Sequence, residues 1–339
     1  MKNRIMQVDI LRMVAMCLVM YQHANGPFSL YILAFHMPIF FVITGFTFSI
    51  SNSWQTTRTI DFVIKRAKGI LIANYSFIFI NVVLNIIISL FTTEKFSLSI
   101  KTLFLLGGNT TGLLPMTFWF LPILFFADIF FFLALKSMKN VVYFTITSLL
   151  FSYILTKTPQ FSRFIISNQL SMIFMGSFFI GLGYIFGKQI YKLLTGEYQI
   201  ITNISIGVVS FIGLVYFVHL NYSPFYMFMN SYGSYVWASL GAICGSAFLI
   251  SIIRFFPNIK FMNRFFTWGG RNTLALFPVH VTLLAAIVYV ENRYHFTISM
   301  LWLFNLIIMS TGAFAITRGI EIYLPFLLGK TKTIKSKKL

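Results

Sequence analysis

Ten apolar windows, each close to the length that crosses a bilayer, recur along the whole chain. They cover residues 8–26, 31–50, 69–91, 117–135, 141–156, 170–190, 200–219, 234–253, 272–291 and 297–318. A helix needs roughly 20 apolar residues to cross about 30 Å of hydrocarbon. Lipid offers the backbone no hydrogen-bond partner, so windows of this kind predict helices. The expected fold is all-α: one polytopic transmembrane helix bundle of about ten spans over residues 1–328, then a basic cytoplasmic tail at 329–339. Composition excludes an ordinary soluble enzyme. Hydrophobic residues make up 58% and charged residues only 10%, against about 25% charged in soluble domains. Between the third and fourth windows, SLSIKTLFLL reads as an interfacial helix and GGNTTG as a loop. The many phenylalanines read mostly as lipid-facing bulk, with Trp and Tyr at the interfaces.

A formal net charge of +19 invites a nucleic-acid reading, and the placement of the charge argues against it. With the N-terminus inside, 21 of the 26 Lys and Arg residues fall in inner segments and 5 in outer ones. That split follows the positive-inside rule and predicts cytoplasmic termini in a cell membrane, most simply a bacterial cytoplasmic membrane. The lipid bilayer is then the expected partner, and no nucleic acid is. Lys2 and Arg4 precede an apolar run as in a signal peptide, but Arg12 interrupts that run, which predicts an uncleaved first helix. Cys17 and Cys244 sit in apolar windows without a CxxC pattern, so neither a disulfide nor a metal site is expected.

The stretch from Asp9 to Ser49 is almost wholly apolar, yet it contains Asp9, Arg12, His23 and His36. A charge at mid-membrane costs roughly 2.5–3.5 kcal/mol on insertion scales, so such residues are usually functional. Arg12 and His23 lie eleven residues apart. That spacing returns a helix to within roughly 20° and advances it by roughly 16 Å. One helix face therefore carries a cation near the inner surface and an imidazole three turns deeper. His36 enters the second span at a depth comparable to His23 and precedes Met37-Pro38, where proline bends a helix. His280 lies roughly 14 Å beyond Arg271 along the ninth window. Asp128 is a buried carboxylate that either pairs with a base or orients a catalytic histidine. Lys65, Arg66 and Lys68 form either an ordinary positive-inside flank or, with Arg12, a pocket for phosphates. Asn81 and Asn85 suit hydrogen bonding between helices. His219 and His295 lie near outer loops and carry no special argument.

These residues resemble a family. Arg12 and His23 match the R-x10-H pattern in the first helix of the integral-membrane acyltransferase family 3. Phe35-His36-Met37-Pro38-Ile39-Phe40-Phe41 with Gly45-Phe46 is similar to the family's second helix. Lys65-Arg66-Ala67-Lys68 sits where the family has its basic RxxR element, here spaced as KxxK. Trp119-Phe120-Leu121-Pro122 and Gly270-Arg271-Asn272-Thr273-Leu274, continuing to His280, resemble two later blocks. The closest likeness is to the fucose 4-O-acetylase-like branch.

The resemblance implies transfer of acetyl from cytoplasmic acetyl-CoA to a hydroxyl of a cell-surface or lipid-linked polysaccharide. Acetyl-CoA is then a substrate, with no bound cofactor and no metal. His23 would be the general base, or accept the acetyl transiently; imidazole, with an ordinary pKa of about 6.5, suits that work. Arg12 is placed for CoA phosphate or for pairing with Asp9. Lys65, Arg66, Lys68 and Arg271 fall on the donor side, Trp119 on the substrate side, and His36, His280 and Asp128 in supporting roles. The alternatives are a non-enzymatic polysaccharide exporter of the same superfamily and a structural membrane subunit.

Overall fold

The computed structural model describes residues 5–91, 116–158, 165–294 and 300–329. Among them there is no β-strand, only an isolated bridge between Tyr226 and Ser231. The expected interfacial helix after Glu94, His295 and nearly all of the basic tail lie outside the described residues. The helices are α1 (Met6–His23), α2 (Pro38–Ile50), α3 (Thr59–Arg66), α4 (Ile72–Phe91), α5 (Phe120–Ser137), α6 (Val141–Lys157) and α7 (Ile165–Ile185). They continue as α8 (Gly187–Thr195), α9 (Ile200–Leu220), α10 (Tyr235–Ile252), α11 (Lys260–Arg271), α12 (Thr273–Tyr294) and α13 (Leu301–Tyr323).

Eight helical stretches among the described residues are long and apolar enough to cross a membrane. Two expected spans fall outside that set. α6 is shorter, at 17 residues. α1 is diluted by Asp9, Arg12 and its polar last turn, and its residues from Val8 to Met20 are largely buried in the bundle. It is a core helix, touching α11, α12, α13 and α2. By contrast α9 exposes Val208, Val209 and Ile212, the outward apolar surface expected of a helix facing lipid.

The second expected span breaks rather than bends. Its first part, Ser29–Leu33, ends in a turn at 34–37, and Pro38 then opens α2 at a position where its missing N–H costs nothing. His36 sits in the turn and caps the first piece: its Nδ1 lies 3.1 Å from the carbonyls of both Ile32 and Leu33. A second break falls at Asn272. Its side chain donates to the Trp268 carbonyl at 3.1 Å, and α11 gives way to α12. α11 is amphipathic and was not among the expected windows.

Phenylalanine builds the core as well as the lipid surface. Among the described residues, six of the twelve largest fully buried side chains are Phe, including Phe41, Phe120, Phe131 and Phe132. The expectation that Phe would mostly face lipid therefore needs correcting: a chain poor in charge must also fill its interior, and aromatic rings pack densely there. Phe62 and Phe132 stack at 4.1 Å, and Phe120 and Phe277 at 4.5 Å. Where α2 crosses α7, glycines replace bulk. A Cβ at Gly45 would run into the Ile180 carbonyl, and one at Gly183 into the Val42 carbonyl. Small residues at such a crossing let two backbones touch, which substitutes for the hydrophobic effect that lipid cannot supply.

Asn81 donates to the Thr282 hydroxyl at 2.8 Å and so ties α4 to α12, the interhelical role expected of it. Asn85 donates to the Asn81 carbonyl at 2.7 Å, within its own helix.

Candidate functional site

Basic residues gather at one end of the bundle. At that end α11 packs on α1 through Gly269 and Gly270. A side chain at Gly269 would meet Met13, and one at Gly270 would meet the backbone of Asp9. This close approach brings Arg271 Nε to 3.3 Å from Asp9 Oδ2. Arg12 Nη1 lies 3.6 Å from the other oxygen, one turn along α1. Asp9 is buried while both guanidiniums reach solvent, so one carboxylate holds two cations at the surface. Pairing of Arg12 with Asp9 is one of the two roles the spacing allowed.

Arg66 Nε approaches Asp128 Oδ2 at 3.1 Å; the guanidinium is 33% exposed and the carboxylate 1%. The N–H is not aimed at the carboxylate, and neither Asp128 oxygen has a hydrogen-bond partner among the described residues. The contact is thus one of charge, reinforced by the rings of Phe62 and Phe48, 5.4 and 5.8 Å from the guanidinium carbon. Asp128 faces Arg66 rather than a histidine. Lys65 and Lys68 are exposed on either side of it. The turn at Pro325–Leu328 packs against α4, and Gly329 rests on the Lys68 carbonyl. That places the basic element at the same end as Arg318 and Glu321.

Glu321, near the end of α13, gathers the residues around Arg271. Its carboxylate accepts from Trp268 Nε1 at 2.8 Å, Asn272 Nδ2 at 3.4 Å and Arg318 Nη1 at 2.6 Å. Glu321 lies just past residue 318, where the tenth apolar window ends. A lone acid at the edge of an apolar window is a signal of the same kind as Asp128.

The histidines lie further along α1. His23 and His280 face each other with ring centroids 5.3 Å apart. His280 is fully buried. Its Nδ1 is 2.9 Å from the Leu276 carbonyl, and its Nε2 has no partner. A carbonyl only accepts, so Nδ1 carries the proton and Nε2 presents a lone pair. The same reasoning protonates His36 on Nδ1. His23 makes no hydrogen bond among the described residues, so neither ring nitrogen is committed.

His23 and His36 line one cavity of about 330 Å³ with Trp119 and Phe277. Gln22 and Asn25 add two amides, and the loop residues Phe225 to Phe228 form the remaining wall. The structure thus brings His23, His36, His280 and Trp119 together. Arg12, Arg66, Lys65, Lys68, Arg271 and Asp128 stand apart from the cavity. Gln22, Asn25 and the 225–228 wall went unnoticed in the sequence, although Asn25-Gly26-Pro27 has the composition of a turn. No group of three or more His, Cys, Asp or Glu residues suited to a metal occurs among the described residues.

The chain is thus a bundle of helices, eight of the described stretches long and apolar enough to cross a membrane, with an imidazole cavity at one level and clustered cations at another. The family model described as an acyltransferase domain, that of the acyltransferase 3 group, matches residues 6–318, and the chain belongs to that family. No curated protein and no solved structure gives a significant match.

Proposed function

We propose that this membrane acyltransferase moves an acetyl group from cytoplasmic acetyl-CoA to a hydroxyl of a cell-surface or lipid-linked polysaccharide. The observation that carries the reading is His23, which opens into a cavity, has no hydrogen bond among the described residues and lies beside an imidazole with a free lone pair. With the two rings 5.3 Å apart, a His23 N–H turned toward the unpartnered His280 Nε2 would leave the other His23 nitrogen as a base of the right tautomer, the orienting logic of nucleophile–base–orienter arrangements. His23 takes the proton of the acceptor hydroxyl as its oxygen bonds to the thioester carbonyl carbon. The C–S bond then breaks, and the CoA thiolate recovers the proton from the imidazolium.

We take the basic end to be cytoplasmic. Arg12 and Arg271, held by Asp9, with Lys65, Arg66 and Lys68, then supply the charge that CoA phosphates need. Eleven residues of helix separate Arg12 from His23, roughly 16 Å, a distance that an extended pantetheine arm spans.

The test is purified protein in lipid nanodiscs with acetyl-labelled acetyl-CoA, paired with surface-glycan O-acetylation in cells with and without the protein. Label transferred to glycan, and O-acetyl lost without the protein, are the expected results. Unchanged acetylation alongside lost polymer at the surface would favour the exporter.

A further inference from the structure

We infer that the segment from Asn221 to Ser234 is an acceptor strap, which closes the histidine cavity over a single sugar ring and is held shut by the Asn221 side chain. The inference rests on the O-acyl transfer reading and specifies where its acceptor sits.

One side chain clasps both ends of the segment. Asn221 Nδ2 donates to the carbonyl of Ser223 at 2.6 Å and to that of Tyr232 at 3.0 Å. Its Oδ1 accepts from the Ser234 N–H at 2.9 Å. Gly233, at φ +64°, is the hinge of this clasp, and any side chain there would strike Asn221 Oδ1. The middle of the segment is equally built. Tyr226 and Ser231 exchange backbone hydrogen bonds at 2.8 and 3.1 Å. Asn230 adopts a left-handed φ of +51° and donates to the Asn168 carbonyl at 2.7 Å, which ties the segment to α7. A non-glycine residue in that region is held there by its surroundings, and such positions concentrate at binding sites.

The strap gives the cavity Phe225, Tyr226 and Phe228, and Trp119 lines it as well. Asn25, itself at φ +58°, and Gln22 add amides close to His23. A pyranose has apolar C–H faces that lie against aromatic rings and a rim of hydroxyls that pair with amides. A bare acyl chain would use the aromatic walls and leave both amides unanswered. At about 330 Å³ the cavity is near the small end of ligand sites, which run from about 300 to 1,000 Å³. It takes one ring. Asn221 does not line the cavity, so it is a positioning residue.

The test uses purified full-length protein in nanodiscs and a panel of methyl glycosides of hexoses and 6-deoxyhexoses. Sugar binding is read by saturation-transfer NMR and acetyl transfer by label. Asn221→Ala removes all three clasp hydrogen bonds and should raise the acceptor KM and the glycoside Kd about tenfold or more, with donor KM and unfolding temperature unchanged. Asn221→Asp keeps the Ser234 contact but turns an acceptor oxygen on the Ser223 and Tyr232 carbonyls, so its rise should be at least as large as that of Asn221→Ala; Tyr226→Ala should weaken glycoside binding directly. If label is transferred but acceptor KM and Kd are unmoved in all three variants, the strap is refuted while acyl transfer stands. If glycosides bind in a strap-dependent way and no label moves, acyl transfer is refuted while the strap stands.

Discussion

Replacing Arg66 by alanine would leave Asp128 as an unmatched carboxylate, 1% exposed, in the middle of α5. At 3.1 Å and an effective dielectric of about 20, the charge attraction is about 5 kcal/mol before desolvation. Breaking a fully buried pair costs about 3–5 kcal/mol, mostly because the remaining charge is left uncompensated. Arg66 is 33% exposed and its N–H misses the carboxylate, so water already screens part of the pair. The expected loss for Arg66→Ala is therefore about 2 kcal/mol, with a smaller loss for Asp128→Asn because the arginine left alone is partly exposed. The double variant Arg66→Ala/Asp128→Asn should recover most of that stability, since no charge is then stranded. Equilibrium unfolding in mixed micelles across the double-mutant cycle measures the coupling. Donor KM separates the second role of Arg66: if the guanidinium also meets CoA phosphate, donor KM stays raised in the double variant after stability returns. A coupling near zero, or an Arg66→Ala protein as stable as wild type, would refute the reasoning.

Gly45→Ala should destabilise the protein by about 1–3 kcal/mol, because its methyl meets the Ile180 carbonyl and the α2–α7 crossing must open. Gly319→Ala, with open space at its Cβ position in α13, should be neutral or stabilising by up to about 1 kcal/mol; thermal unfolding in detergent distinguishes the two. Arg12→Ala should chiefly weaken acetyl-CoA binding, by roughly 10-fold or more for a lost charge-assisted hydrogen bond, as read by calorimetry; unchanged binding would remove Arg12 from the donor side. His280→Phe should fill the same space, remove the Nε2 lone pair and lower kcat with little change in donor KM.

Much of this was legible because lipid leaves a chain few choices. The windows located nearly every long helix, and the rarity of polar residues in them picked out Asp9, Arg12, His23, His36, Asp128 and His280. Periodicity put Arg12 and His23 on one helix face, and the structure keeps them far apart along it. What periodicity does not hold is which helices touch. That α11 packs on α1 was written in Gly269-Gly270, but a glycine pair names no partner until the fold supplies Met13 and Asp9. The pairing of Arg66 with Asp128 likewise depends on a contact across 62 residues. The cavity wall at 225–228 was invisible for another reason. It is a loop between two apolar helices, outside every expected window, and nothing in its composition says that it lines a cavity with His23.

The central claim is that His23 removes the proton from the acceptor hydroxyl. Its most direct test is acetyl transfer from labelled acetyl-CoA to glycan by purified His23→Ala in nanodiscs, beside wild type of equal unfolding temperature. A general base contributes about 10²–10⁴-fold, so transfer should fall by at least that factor while acetyl-CoA binding persists. Transfer within a few-fold of wild type would contradict the claim.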